Sequence, residues 1–76
     1  MMKSKIRYIL KIDGMMCGMC EAHINDVIRR KFDIKKVKSS ARKNQTIVIS
    51  DHIINEDEFH KVIDETGYRI VSINKE

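Results

Sequence analysis

The sequence predicts an α+β sandwich in which a four-stranded antiparallel sheet carries two helices on one face. Two patterns support this fold: apolar residues alternate with polar ones in several short segments, as in half-buried strands, and recur at helical spacing in two longer segments. The third observation is their order, β-α-β-β-α-β, along 76 residues. The chain is expected to form a single domain, residues 1–76, with one thin core, because a domain this small buries only about three-fifths of its unfolded surface.

The first half of the chain predicts a strand, a loop and a helix. The strand is expected from Ser4 to Asp13, where every second residue is apolar. Its inward residues are Ile6, Tyr8, Leu10 and Ile12, and its outward residues are mostly Lys5, Arg7, Lys11 and Asp13. After the loop 14–19, apolar residues at helical spacing predict a helix from about Cys20 to Lys31, followed by Phe32 packing into the core.

Two short strands are expected next, from Ile34 to Ser39 and from Gln45 to Ser50. The polar segment between them, Ser40 to Asn44, has the length of a hairpin connection. The two strands should therefore pair antiparallel.

The second helix has recognisable signals at both ends. Asn55 occupies the expected N-cap position, Glu58 follows in the capping position, and Gly67 supplies the C-terminal stop. A last strand is expected from Tyr68 to Ile73. This order of elements is that of the ferredoxin-like βαββαβ sandwich.

The composition limits the classes of protein to which the chain can belong. With 42% hydrophobic and 34% charged residues, it is typical of a globular protein. We expect a cytoplasmic protein without membrane insertion, because we find neither a signal peptide nor an apolar run of roughly 20 residues. The net charge of +4 favours acidic partners.

The two cysteines lie in the segment Gly14-Met15-Met16-Cys17-Gly18-Met19-Cys20, between a strand end and a helix start. In a reducing compartment such a pair is typically metal-binding or redox-active. The N-terminus of a helix stabilises thiolates, and thiolates select soft ions such as Cu(I). A single pair lacks the four ligands of a structural zinc site. We therefore expect Cu(I) to be held by Cys17 and Cys20 and passed on by ligand exchange through three-coordinate intermediates, without catalysis.

This loop resembles that of the heavy-metal-associated domain family, which reads G-M-x-C-x-x-C. The family includes soluble copper chaperones and the N-terminal domains of copper-transporting P-type ATPases. The positions of Ile24 and Ile28, and the pair Gly67-Tyr68 before the last strand, extend the resemblance over nearly the whole chain. It implies a βαββαβ fold, cytosolic Cu(I) binding by Cys17 and Cys20, and docking to a similar domain of a metal-transporting P-type ATPase, as a metallochaperone does.

Four residues near the cysteines are auxiliary candidates. Met16 stands where the family often has Thr, Met19 lies between the cysteines, and His23 follows Cys20 by one helical turn. We interpret Met16 and Met19 as an apolar lid or docking surface and His23 as a solvated residue. As a third ligand, any of these side chains would favour a trigonal copper site, and His23 would favour Zn(II) or another divalent ion. Tyr68 is expected at the same end, where its ring could shield the ion and its hydroxyl could reach toward a sulfur.

The hairpin residues Arg42 and Lys43 are also expected at the metal end, where they would offset the negative charge of a copper dithiolate. Met15, which follows Gly14, is expected to pack in the core under the loop. His52 is expected at the end opposite the loop.

Several rival functions are weighed against copper transfer. A thiol-disulfide redox domain would share the C-x-x-C spacing, but the chain has no proline for the cis-proline of thioredoxins and no tryptophan. Nucleic-acid binding is not expected, because the outward strand faces offer no aromatic platform. Hg(II) would suit the same loop, although the soluble mercury carriers of the family are exported. A homodimer with one metal between four cysteines is a further alternative.

Overall fold

The computed structural model describes residues 5–76, which form four strands and two helices in the predicted order. The elements are β1 (Ile6–Asp13), α1 (Gly18–Lys31), β2 (Lys36–Ser40), β3 (Gln45–Ser50), α2 (Glu56–Glu65) and β4 (Arg69–Lys75). The predicted start of the first strand at Ser4 lies outside the described residues.

The four strands form one antiparallel sheet with the order β2-β3-β1-β4. In the central pair, Ile6 lies opposite Ser50 and Lys11 lies opposite Gln45. This register places the end of β1 beside the β2–β3 hairpin, and places His52 at the opposite end of the sheet, as expected. The arrangement confirms the ferredoxin-like fold.

Both helices cover the same face of the sheet and close a single core against it. Of the inward residues of β1 predicted from the alternation, Tyr8, Leu10 and Ile12 are at most 1% exposed, whereas Ile6 at the start of the strand is half-buried. They meet Ile24 and Ile28 of α1 and Phe59 and Ile63 of α2, which are all fully buried. The Phe59 ring packs edge-on against Tyr8, with centroids 5.2 Å apart, and against Phe32, with centroids 4.8 Å apart. Phe32 therefore joins the core as predicted.

The predicted start of the first helix was wrong, whereas its predicted end at Lys31 is observed. Helix α1 begins at Gly18 rather than at about Cys20, because the carbonyl oxygen of Cys17 accepts hydrogen bonds from the backbone N–H groups of Cys20 (3.1 Å) and Glu21 (3.2 Å). Cys17 is consequently the N-cap and Cys20 lies within the first turn.

Two strand boundaries also differ from the prediction. Strand β2 covers Lys36–Ser40 instead of Ile34 to Ser39, so that Ser40 belongs to the ladder, opposite Gln45, and the turn is 41–44. Strand β4 covers Arg69–Lys75 instead of Tyr68 to Ile73, because its pairing with β1 continues to the Tyr8–Lys75 pair while Tyr68 stays in the preceding loop. Strand β3 has the predicted bounds.

The caps of α2 are close to those predicted. The side-chain oxygen of Asn55 accepts a hydrogen bond from the backbone N–H of Asp57 at 2.9 Å, whereas the N–H of Glu58 bonds to the Asn55 carbonyl oxygen. Gly67 ends the helix with φ +94°. Within residues 5–76, neither helix has the length and apolarity that crossing a bilayer requires.

Candidate metal centre

The loop between β1 and α1 is fixed by one glycine and one buried methionine. Gly14 adopts φ +99°, a conformation that disfavours residues with a side chain, and so turns the chain out of the sheet. Met15 then packs inward with 3% of its surface exposed, as predicted. The following residues, including Met16 and Cys17, are exposed. Met15 thus anchors the loop in the core, while Met16 and Cys17 remain accessible to solvent.

The helix start brings the two thiols together. Cys17, in extended backbone conformation, is exposed, and Cys20 in the first turn is half-buried. Both cysteines are free thiols, and their Sγ atoms are 3.9 Å apart. Two sulfurs at this distance at a helix N-terminus can contact the same ion.

The environment of Cys20 favours its thiolate. Interaction with the Tyr68 hydroxyl is the largest cause that lowers the pKa of Cys20 from 9.0 to about 7, and backbone N–H groups of Met16 and Cys17 lower it further. Partial burial opposes this shift. The same contact with Cys20 raises the pKa of the Tyr68 hydroxyl. A large fraction of Cys20 is therefore a thiolate near neutral pH, which is the form that binds metal ions.

Tyr68 lies at the cysteine end of the domain, as expected from its place in the loop after α2. A Cβ atom on Gly14 would lie 3.3 Å from Cδ1 of the Tyr68 ring, so a side chain at this position would crowd the ring. The ring also packs edge-on against the imidazole of His23, with centroids 6.1 Å apart. Tyr68 thereby connects the loop, the first turns of α1 and the start of β4.

The other auxiliary candidates have different surroundings. Met16 and Met19 are 85% and 83% exposed, so both side chains lie on the surface beside the cysteines. His23 is exposed and packs against Tyr68. Among residues 5–76, no three His, Cys, Asp or Glu side chains come together as a metal-binding group, so His23 does not complete a three-ligand set with the cysteines.

The β2–β3 hairpin lies beside the cysteine loop. The carboxylate of Glu21 in α1 accepts a hydrogen bond from the backbone N–H of Ala41 at 2.7 Å, and the carbonyl oxygen of Asn44 accepts one from the N–H of Ile12 at 2.8 Å. These bonds place Arg42 and Lys43 at the cysteine end. The role of Glu21 was not predicted, because its only sequence signal is a carboxylate in the first turn of a helix.

Comparisons with known proteins place the chain among metal-binding domains, although no family model matches it. The copper chaperone CopZ of Enterococcus hirae is 32% identical over 59 residues, which are 76% of this chain and 86% of that protein. Oxidized MerP from Ralstonia metallidurans CH34 superposes with a TM-score of 0.78 at 21% identity, covering 93% of this chain and 99% of that one. The yeast copper transporter domain Ccc2a superposes with a TM-score of 0.73 at 26% identity, covering 90% and 97%. With this fold, this loop and a relative of this similarity, the chain belongs to the heavy-metal-associated domain family of copper-chaperone-like proteins.

Proposed function

We propose that this domain binds Cu(I) between the thiolates of Cys17 and Cys20 and transfers it by ligand exchange to a similar domain of a metal-transporting P-type ATPase. The observation that carries the proposal is the pair of free thiols 3.9 Å apart at the start of α1. The domain acts as a carrier, and no bond of a substrate is made or broken other than those to the metal.

The sulfur separation suits a site that accepts a third ligand. With metal–sulfur bonds of about 2.3 Å, two sulfurs 3.9 Å apart would subtend an angle of about 116° at a shared ion. A linear arrangement would require a separation of about 4.6 Å, and hence a small opening of the loop. The spacing is thus close to that of a trigonal intermediate, with one position left for a partner's thiolate.

The transfer step exchanges one metal–sulfur bond for another. A partner thiolate approaches the ion from the solvent side, where Cys17 is exposed, and forms a third bond to the metal. The bond to Cys17 then breaks, a second partner thiolate replaces Cys20, and Cu(I) remains monovalent throughout. Because the metal is always held by sulfur, it is never released as a free ion.

Side chains around the loop favour such an approach. Met16 and Met19 offer exposed apolar contact area on either side of Cys17. Arg42 and Lys43 provide positive charge that offsets the single negative charge of a Cu(I) dithiolate and attracts an acidic partner. The relatives give independent support, since CopZ is a copper chaperone and Ccc2a is a copper transporter domain described in apo and Cu(I)-loaded states.

An anaerobic competition titration of the reduced protein against a chromophoric chelator tests the proposal. We expect one Cu(I) per chain, bound much more tightly than Zn(II), and loss of this binding in both Cys17→Ser and Cys20→Ser. His23→Ala is the matched control, because it changes a neighbouring candidate ligand and should leave the Cu(I) stoichiometry unchanged. A double cysteine variant that bound Cu(I) as tightly as the parent protein would refute the site.

The same titration separates the rival functions. Preference for Zn(II), weakened by His23→Ala, would identify a divalent site that includes the imidazole. Tighter binding of Hg(II) than of Cu(I) in competition would identify a mercury carrier. Weak binding of all three ions, together with a readily cycled Cys17–Cys20 disulfide, would identify a redox domain, because a thiol with a pKa of about 7 also suits that chemistry.

A further inference from the structure

The face of the sheet that points away from the helices combines aliphatic and basic side chains. Alternation along the strands directs every second residue to this side. Its aliphatic residues are Ile9, Ile47, Ile49 and Val71, and its basic residues are Arg7, Lys11, Lys36, Lys38 and Arg69. We call this surface the basic sheet face.

The basic residues surround the aliphatic ones instead of forming a separate cluster. Arg7, Lys36 and Lys38 line a shallow groove together with Ile47 and Ile49. At the other end of the face, Val71 is 65% exposed and shares a depression with Lys11 and Lys43. The face is thus a broad surface with an aliphatic centre and positive charge on its borders.

The charge of the domain is distributed unequally between the two sides. Helix α2 contains five acidic residues and one lysine, Lys61. On the basic sheet face, Arg7 has a carboxylate partner, Glu76, at 3.7 Å, and Lys11 donates a hydrogen bond to the side-chain oxygen of Gln45 at 3.2 Å. The lysines of β2, Lys36 and Lys38, point to solvent. Asp13 also lies on this face, opposite Arg69, so the five basic residues leave the sheet side net positive while α2 is net negative.

We propose that the basic sheet face docks on the surface of a lipid bilayer that contains anionic lipids. Lysine and arginine side chains place their charge among the headgroups while their stems lie along an apolar surface, and each contributes to attraction by an anionic leaflet. The aliphatic centre of the face then contacts the interfacial region without insertion of a helix. A bilayer with anionic lipids offers a broad, negatively charged surface, which matches the breadth and the positive charge of this face.

The composition of the face favours a lipid surface over an acidic protein and over a nucleic acid. The central parts of protein interfaces are rich in aromatic residues and poor in lysine, whereas three of the five basic residues here are lysines. Single-stranded nucleic acids are bound through stacking on aromatic rings, which this face does not offer. A second copy of the chain would bring two positive faces together.

Docking in this orientation keeps the cysteine loop accessible. Cys17 lies in the connection from β1 to α1, at one end of the sheet, and Cys17 and Met16 are exposed. The helices face away from the bilayer. Membrane docking and metal exchange therefore use different surfaces, and the docking proposal does not depend on the metal carried.

Co-sedimentation of the reduced, metal-free protein with vesicles tests this inference. We expect binding to phosphatidylcholine vesicles that contain phosphatidylserine, little binding to pure phosphatidylcholine, and weaker binding as the salt concentration rises. Each basic residue at the surface should contribute about fivefold, so Lys36→Gln with Lys38→Gln should weaken binding about twenty-five-fold. A second pair on other strands, Lys11→Gln with Arg69→Gln, should act similarly and keeps the test valid if the first pair fails to fold.

The matched control removes the same charge from the other side of the domain. Arg29→Gln with Arg30→Gln, on the exposed face of α1, lowers the net charge equally and should leave vesicle binding nearly unchanged. Equal weakening by this control pair would overturn the assignment to the sheet face. Absence of binding to phosphatidylserine vesicles would also overturn it. A third contrary result would be displacement from the vesicles by polyglutamate or a single-stranded oligonucleotide, added at a lower concentration of negative charges than the lipid supplies.

Discussion

Replacing Tyr68 by phenylalanine removes the hydroxyl beside the Cys20 thiol and keeps the ring over Gly14. With a pKa of about 7, about half of Cys20 is a thiolate at pH 7, compared with about one in a hundred at the ordinary pKa of 9.0. The Tyr68 hydroxyl is the largest of several causes of this difference. We therefore expect Tyr68→Phe to raise the pKa of Cys20 and to lower its thiolate fraction at pH 7 severalfold, with about fiftyfold as the upper bound.

The pH dependence of alkylation measures this change for one thiol at a time. In a Cys17→Ser background only Cys20 reacts, so the midpoint of the rate against pH reports its pKa, and Tyr68→Phe should move the midpoint upward. The same tyrosine substitution in a Cys20→Ser background is the control, because the hydroxyl interacts with Cys20. An unchanged midpoint for Cys20 would refute the role assigned to Tyr68.

Three further predictions concern the stability of the metal-free, reduced protein, each measured by urea denaturation. The folded-state pKa of Cys20 is about 7 and its ordinary value is 9.0, so the unfolded chain binds more protons between these two pH values. The free energy of unfolding should therefore rise with pH from about 7 to 9, and this contribution should be lost as the pH falls through about 7. The pH-dependent difference should vanish in Cys20→Ser. Gly14→Ala and Gly67→Ala should each cost about 1–2 kcal/mol because both glycines have positive φ, and Gly14→Ala should cost more because its Cβ would lie 3.3 Å from the Tyr68 ring; equal costs would argue against that contact. Asn55→Ala should cost about 1 kcal/mol through loss of the N-cap of α2, and a neutral result would show that the cap contributes nothing.

Local patterns were sufficient to predict the fold. Strict alternation identified the inward face of β1, whose residues Tyr8, Leu10 and Ile12 are buried, because a one-residue shift would turn that face to solvent. Gln45–Ser50 was predicted with its observed bounds, and Asn55 and Gly67 marked the ends of α2. Each of these signals depends on residues that are near neighbours in the sequence.

The errors occurred at element boundaries for which the sequence carries no local signal. The sequence carries no local signal that Cys17 would be the N-cap of α1, since cysteine is not a preferred capping residue and its side chain makes no capping hydrogen bond. The shift of β4 to Arg69–Lys75 follows from its long pairing with β1, which includes an irregularity between Lys11 and Ile12. Strand ends of this kind depend on partners far away in the chain.

The candidate site was predicted in outline but not in its contacts. The spacing of the cysteines identified Cys17 and Cys20, and the topology placed Tyr68 at their end of the domain. The reach of the Tyr68 hydroxyl toward a cysteine sulfur was expected from this placement. The packing of the Tyr68 ring on His23 was not, because it depends on side-chain directions from two separate elements, α1 and the loop after α2. Periodicity and spacing do not contain that information.

X-ray absorption spectroscopy at the copper edge, on the domain loaded anaerobically with one equivalent of Cu(I), tests most directly whether Cys17 and Cys20 hold the ion. We expect a first shell of sulfur atoms only, with two or three sulfurs per copper, in the parent protein and in His23→Ala alike. A first shell containing nitrogen that disappears in His23→Ala, or an unchanged sulfur shell in the variant lacking both cysteines, would contradict the assignment of the metal to this thiol pair.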